Sequence, residues 1–219
     1  MTKKAETTTG DTKSSKIRSN MRLWDSVATT DPSMAKEASN GRYKFTTVDP
    51  QWQLKQATKA WGPYGDKWGL FDIRFANLES DPPSLMLSAD FRYPSENGHI
   101  VAFPIHVDMR LKAGDDVCKK LITNARSKAL SWLGFSADVF MGKFDDAGYV
   151  RDLQSRFGDQ NALVTKVLSA VKSAKNMDAL QKCRERLQKM IADETIQDRN
   201  VAAELMAEVA DREQELISG

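Results

Sequence analysis

Cysteine and histidine are scarce in this sequence of 219 residues, which contains two of each. Cys118 and Cys183 stand 65 positions apart, and His99 and His106 add no ligand pair at short spacing. Structural zinc sites usually bring cysteine or histidine ligands together in pairs two to five residues apart. The spacing therefore predicts two reduced, structural thiols. We expect no disulfide framework, metal site or cofactor.

Long hydrophobic runs are also missing. A membrane-spanning helix needs about 20 predominantly apolar residues, and no run in this chain approaches that length. The opening segment MTKKAETTTGDTKSSK has no apolar stretch that could act as a signal sequence. These absences predict a cytoplasmic protein with no membrane partner. Residues 1–19, rich in Thr, Ser and Lys, predict a disordered tail because they offer too little apolar surface to offset the entropy of ordering.

The usual motifs of catalysis are absent as well. GPYGDKW (62–68) lacks the Gly, Lys and Ser/Thr spacing that wraps a nucleotide's phosphates, so it predicts a turn. No Ser/His/Asp or Cys/His set is identifiable, and we expect a protein that is not an enzyme. A metal-dependent nuclease remains an alternative, because carboxylates can hold a divalent ion. The acids available for such a site are Asp90, Asp108, Asp115, Asp116, Asp145 and Asp146. Asp145 and Asp146 are interpreted first as turn and cap residues.

The charge of the chain is unevenly distributed, although the net charge is only +2. Residues 160–192 hold seven Lys/Arg and two Asp/Glu, whereas residues 193–219 hold two Lys/Arg and eight Asp/Glu. A basic stretch followed by an acidic end suits a protein that binds a polyanion. Solvated helix faces give similar counts, so the charge pattern alone leaves both interpretations open.

Alternation of apolar and polar residues predicts an antiparallel sheet of at least three strands. The strands are expected over residues 67–75, 85–93 and 100–111. In the first strand, Trp68, Leu70 and either Ile73 or Phe75 are expected to face inward. Asn97-Gly98 favours a tight type I′ hairpin between the other two strands.

Helical patterns surround these strands. A short pattern begins near residue 21 and ends at Asp31-Pro32. Asp49-Pro50 and Gly62-Pro63 delimit a helix of about three turns. A further helix over residues 115–134 is expected to end at Gly134. Its inward face should include Ala129, Trp132 and Leu133.

These elements together predict an α+β fold, in which an antiparallel β-hairpin sheet packs on helices. We expect a β-β-β-α core over residues 20–158. Three more helical patterns follow with short polar joints, and they predict a C-terminal helical bundle or hairpin over residues 159–219.

Exposed cations on these elements are the strongest indication of function. Two rows at three- and four-residue spacing, Lys119–Thr123–Arg126 and Lys120–Asn124–Lys128, are expected to share one exposed face of the 115–134 helix. The other candidate DNA-binding cations are Lys55 and Lys59 on the earlier helix and Arg74, Arg92 and Arg110 on the strands. Such spaced cations can line a groove for single-stranded nucleic acid, with Trp52 or Tyr64 as stacking surfaces. Alternatively, Asp72, Asp90 and Asp108 neutralise the three arginines across the sheet.

Two segments resemble a known family. TNARSKALSWLGFSADVFMGKFDDAGYV (123–150) resembles the basic core helix and following turn of phage-type single-strand annealing proteins, recombinases distantly related to the eukaryotic Rad-fifty-two annealing protein. VDPQWQLKQATKAWGPYGDKWGL (48–70) is similar to the same family's earlier helix, turn and strand entry. The two motifs occur in the family's order and together cover about residues 45–150.

This resemblance implies a function and a set of partners. Annealing proteins of this kind have a β-β-β-α core, assemble into rings or helical filaments, and hold single-stranded DNA in a basic groove. They anneal complementary strands in phage recombination without ATP, in the cytoplasm of the bacterial host. The C-terminal region commonly contacts a host single-strand-binding protein or a phage exonuclease.

The resemblance also implies site residues. The family's basic pair on the core helix falls on Ser127 and Lys128, so one cation is replaced by serine. Arg126 is the candidate substitute. The family's arginine on the earlier helix falls at Trp52, and Lys55 is the candidate substitute there. A different class of function stays open beside annealing, namely a structural or adaptor protein that assembles through its helical tail.

Overall fold

The computed structural model describes residues 20–218 except residues 40, 113, 115, 194, 197 and 198. The tail predicted over residues 1–19 lies outside the described residues. The chain divides into two compact units between Asp146 and Ala147. The boundary predicted after residue 158 falls inside a continuous helix that belongs to the second unit.

The first unit has the predicted α+β composition, with two antiparallel sheets and several helices. Its elements in chain order are α1 (20–27), β1 (Ala35–Ser39), β2 (Lys44–Val48), α2 (Pro50–Trp61), β3 (Gly69–Leu78), β4 (Ser84–Pro94), β5 (Ile100–Arg110), α3 (Val117–Trp132) and α4 (Ala137–Phe140). Strands β1 and β2 pair as a separate hairpin, which the sequence interpretation missed. Strands β3, β4 and β5 form the predicted three-stranded sheet in that order.

Helix α2 begins and ends at the predicted residues. The carboxylate of Asp49 accepts a hydrogen bond of 2.9 Å from the backbone N–H of Gln51, and Pro50 occupies the first turn. Gly62 follows the last helical residue with φ +89°, a conformation that side chains other than glycine rarely adopt. Local capping chemistry therefore accounts for where this helix begins and ends.

Strand β3 departs from the predicted regular alternation. Phe71 lies opposite Asp90 but Arg74 lies opposite Ser88, so the strand contains a bulge between them. Within it, Asp72 has φ +53°. The extra residue shifts the alternation, and Phe75 shares the side of the buried Leu87. Neither of the two expected inward residues is buried, because Ile73 is 39% exposed and Phe75 is 42% exposed.

The hairpin between β4 and β5 has a longer turn than the predicted type I′ loop. The backbone N–H of Gly98 donates to the carbonyl of Ser95 at 2.9 Å, and that of Ser95 donates to His99 at 2.8 Å. Gly98 has a positive φ of +78°, whereas Asn97 does not. A type I′ turn needs positive φ at both central residues, so the prediction is wrong.

The core of the first unit lies between the sheet and α3. Its largest fully buried side chains include Trp68, Leu87, Phe91 and Phe135. Helix α3 packs on β4 and β5, and α2 packs on α3. This arrangement leaves one face of the sheet covered by α3 and the other face away from it.

The segment after α1 is joined to the segment after α3 by buried hydrogen bonds. The backbone N–H of Ser136 donates to the carbonyl oxygen of Val27 at 3.0 Å, and the backbone N–H of Asp138 donates to the carbonyl oxygen of Ala28 at 3.1 Å. The carboxylate of Asp138 accepts bonds from the backbone N–H of Thr30 at 2.8 Å and from its hydroxyl at 2.7 Å. The N-terminal segment is thus held at the C-terminal end of α3.

The second unit is helical, as predicted. It comprises α5 (Ala147–Lys172), α6 (Met177–Ala192) and α7 (Arg199–Ser218), which pack on one another around Val171, Leu180, Leu187, Leu205 and Val209. An ion pair between Arg184 and Glu213 joins α6 to α7. Of the helices that the structure describes, none combines the length and apolar character that crossing a bilayer requires.

Candidate nucleic-acid interface

Helix α3 buries one face and carries its cations on the others. Its inward residues Val117, Leu121, Ala125 and Ala129 recur every four positions and pack in the core. Asp116 caps the first turn by accepting a bond of 3.2 Å from the backbone N–H of Lys119. With this apolar stripe covered by the sheet, the remaining polar positions face outward or flank the sheet.

Lys128 lies on the flank of α3 beside β5. Its ammonium group donates to the backbone carbonyl of His106 at 3.4 Å and lies 5.7 Å from the ring centroid of Trp132. Lys119 and Lys120 are also exposed. Within the described ranges, neither Lys119 nor Lys128 forms an ion pair with a carboxylate. Their positive charge is therefore available to an anion in solution.

Arg126 lies on a different side of α3 from Lys128. Its guanidinium group sits over the ring of Tyr64, 5.8 Å from the centroid, and its Nε is buried without a hydrogen-bond partner among the described residues. Burial lowers the pKa of Arg126, and the nearby Tyr64 partly opposes that effect. Two residues along a helix correspond to a rotation of about 200°. The expectation that both cation rows share one exposed face is therefore wrong.

The three sheet arginines lie on the face of the sheet away from α3. Arg92 is on β4, Arg74 lies opposite Ser88, and Arg110 lies opposite Ser84, so all occupy the same side. The core residues Leu87 and Phe91 occupy the other side, because neighbouring residues of a strand alternate. Among the described residues of the first unit, the arginines and Lys128 therefore do not form a single groove.

Arg92 is neutralised within the sheet, as the alternative interpretation held. It forms ion pairs with Asp72 and, at 3.7 Å, with Asp90, and it stacks on the ring of Phe71. Arg74 and Arg110 form no such pair with any described carboxylate. The positive φ of Asp72 places its carboxylate in the bulge beside Arg92, which the sequence alone does not indicate.

The predicted residues of α2 occupy mixed environments. Lys55 is exposed, whereas Lys59 and Trp52 are only partly exposed. Tyr64 makes contacts with other residues of the first unit. Its ring packs edge-on against Trp68 with centroids 5.1 Å apart, and its hydroxyl oxygen accepts a bond of 3.2 Å from the backbone N–H of Leu70. Tyr64 therefore takes part in packing, while 39% of its surface stays exposed.

Trp132 differs most from its predicted place. It was expected to pack inward, but 52% of its surface is exposed, while the neighbouring Leu130 is fully buried. Its ring contacts Phe103 of β5, with centroids 5.7 Å apart and planes inclined by 35°. Helical periodicity could not find this exposure, because Trp132 is the last residue of α3.

Among the residues that the structure describes, the acidic side chains do not assemble into a metal site. Asp145 ends a short 3-10 turn (Lys143–Asp145) and Asp146 follows it, as expected of turn residues. Asp115 lies outside the described residues. In the part of the chain that the structure describes, no three His, Cys, Asp or Glu side chains converge as potential metal ligands. Cys118 and Cys183 are both free.

The comparisons with known proteins add no relative. No protein-family model matches the sequence, and no curated protein matches it. The function therefore has to be inferred from the fold, the exposed cations and the two motifs.

Proposed function

We propose that this protein binds single-stranded DNA and anneals complementary strands without ATP, as an oligomeric ring or filament, in phage recombination within a bacterial host cell. The observation that carries the proposal is the exposed, uncompensated cation Lys128 on the helix of a β-β-β-α unit. That unit has the element order that the resemblance implies, β3-β4-β5-α3. The motif containing Lys128 is the one that resembles the annealing family.

The mechanism under this proposal is physical rather than catalytic. Lys120 and Lys128 are eight residues apart on α3, about 12 Å along its axis. Cations spaced along one helix neutralise separate phosphates of a strand and release its counterions. Neutralised strands repel each other less, so two complementary strands meet more readily, and base pairing then supplies the free energy. The reaction needs no nucleotide hydrolysis.

Annealing of two labelled complementary oligonucleotides tests this function. We expect the protein to accelerate their pairing in the absence of ATP, as followed by energy transfer between the labels. An unchanged rate would contradict the proposal. If light scattering gives the same mass with and without single-stranded DNA, the adaptor alternative is favoured. Magnesium-dependent shortening of the oligonucleotides, abolished by Asp145→Asn, would favour a nuclease.

Lys128→Ala is expected to weaken binding of single-stranded DNA and to flatten its salt dependence. Each phosphate contact contributes about 0.7 to the slope of log affinity against log salt for a single strand. Fluorescence anisotropy at four or five salt concentrations measures that slope. Arg92→Ala is the matched control, because it removes one positive charge that Asp72 and Asp90 already neutralise. Equal slopes for Lys128→Ala and the wild type would show that the DNA does not contact this flank of α3.

A further inference from the structure

We infer that Trp132 is a stacking platform for an unpaired base of the bound strand, and that Lys128 holds the phosphate beside that base. The inference rests on the proposed binding of single-stranded DNA and assigns a base-contacting residue to it. The sequence motifs do not indicate this role, since periodicity places Trp132 in the core.

The first support is the exposure of the indole. More than half of the surface of Trp132 is open to solvent, at 52%, although tryptophan is among the largest apolar side chains. The rest of the inward face of α3 is well covered, with Ala125, Ala129 and Leu130 fully buried. Base stacking requires exposed aromatic surface, and it tolerates any base because every base has a π-face.

The second support is the rigidity of what lies beneath the indole. Trp132 rests on Phe103, which in turn contacts Phe91 at 5.5 Å and Tyr93 at 6.2 Å between ring centroids. Phe91 is fully buried in the core. The exposed ring is therefore the outer member of an aromatic cluster anchored in the core, and little of its freedom remains to be lost when a base stacks on it.

The third support is the position of Lys128 one helical turn before Trp132. Its ammonium lies 5.7 Å from the indole centroid, and among the described residues it has no carboxylate partner. A nucleotide offers a flat base and an anionic phosphate a few ångströms apart. The pair of side chains offers the complementary flat ring and cation at a similar separation. A purely apolar protein partner would leave this ammonium unmatched, which favours the nucleotide.

The test compares Trp132→Ala and Trp132→Phe with the wild type on two probes, an oligothymidylate and an abasic oligonucleotide of the same length. We expect Trp132→Ala to weaken binding of the oligothymidylate about tenfold. Binding of the abasic strand should be unchanged, because it has phosphates but no bases. Trp132→Phe should retain most of the affinity, since it keeps an aromatic face.

Three results would overturn the inference. If Trp132→Ala weakens both probes equally, its effect is structural. Unchanged affinity for the oligothymidylate would remove Trp132 from the strand's path. A change in mass by light scattering without DNA, with base-dependent affinity retained, would assign Trp132 to contacts between copies of the chain. Failure of the wild-type protein to bind either probe is a separate outcome, and it would overturn the proposed function itself.

Discussion

Replacing Gly134 with alanine is expected to lower the free energy of unfolding by about 3 kcal/mol. Gly134 has φ +96°, a left-handed conformation that costs an alanine about 1–2 kcal/mol. A Cβ atom at this position would also lie 2.6 Å from Cδ2 and 2.7 Å from Cε3 of the Trp24 ring. Carbon atoms that are not bonded to each other do not approach so closely, so the ring of Trp24 in α1 must move away from the end of α3.

Gly142→Ala is the matched control for this prediction. Gly142 also has a positive φ, +75°, but the nearest atom to an added Cβ is the carboxylate oxygen of Asp145 at 3.5 Å. Its substitution should cost only the conformational strain, about 1 kcal/mol. Urea denaturation followed by circular dichroism measures both values. If the two variants lose the same free energy of unfolding, the ring of Trp24 moves aside at no measurable energetic cost.

Asp138→Ala is the second substitution with a large expected effect, a loss of about 3 kcal/mol. Asp138 is 3% exposed, and its carboxylate accepts hydrogen bonds from the backbone N–H and hydroxyl of Thr30 and, at 2.9 Å, from the backbone N–H of Val139. Alanine would leave the N–H and hydroxyl of Thr30, itself fully buried, without this acceptor. Each buried donor left unsatisfied costs about 1–3 kcal/mol.

Asp31→Ala provides the comparison, because Asp31 also accepts hydrogen bonds from a backbone N–H and a hydroxyl, but at a solvent-accessible position. The carboxylate of Asp31 accepts 2.9 Å and 2.8 Å bonds from the backbone N–H and hydroxyl of Ser33. Water can replace these bonds, so the loss should stay near or below about 1 kcal/mol. Denaturation midpoints of the two variants give the difference. A loss for Asp138→Ala no larger than that for Asp31→Ala would mean that burial adds nothing to this network.

Elements with strong local chemistry were predictable from the sequence. The limits of α2 follow from Asp49-Pro50 and Gly62, since capping and proline placement act within a few residues. The strands over 85–93 and 100–111 and the C-terminal helices follow from their hydrophobic periods. The hairpin of β1 and β2 was missed, although Asn40-Gly41 between them is a common hairpin signal.

Features that depend on partners distant in sequence were not predictable. The bulge in β3 exists because β3 pairs with β4 in a particular register, and nothing near Asp72 reveals that register. The same bulge brings Asp72 against Arg92 and removes that arginine from the available cations. Similarly, nothing near Asp138 in the sequence indicates its buried role, which depends on Thr30, 108 residues away.

The chain's own residue pattern is sufficient to specify an α+β fold, the ends of α2, and a basic helix that carries Lys119, Lys120, Arg126 and Lys128. Helical periodicity fixes the angle between these side chains but not which flank the rest of the protein covers. The helical rotation of about 200° separates Lys128 from Arg126, and packing places the first beside β5 and the second against Tyr64. The end of α3 beside Phe103 leaves Trp132 open to solvent. Long-range packing, rather than local sequence, therefore determines which cations and which aromatic ring are exposed to solvent.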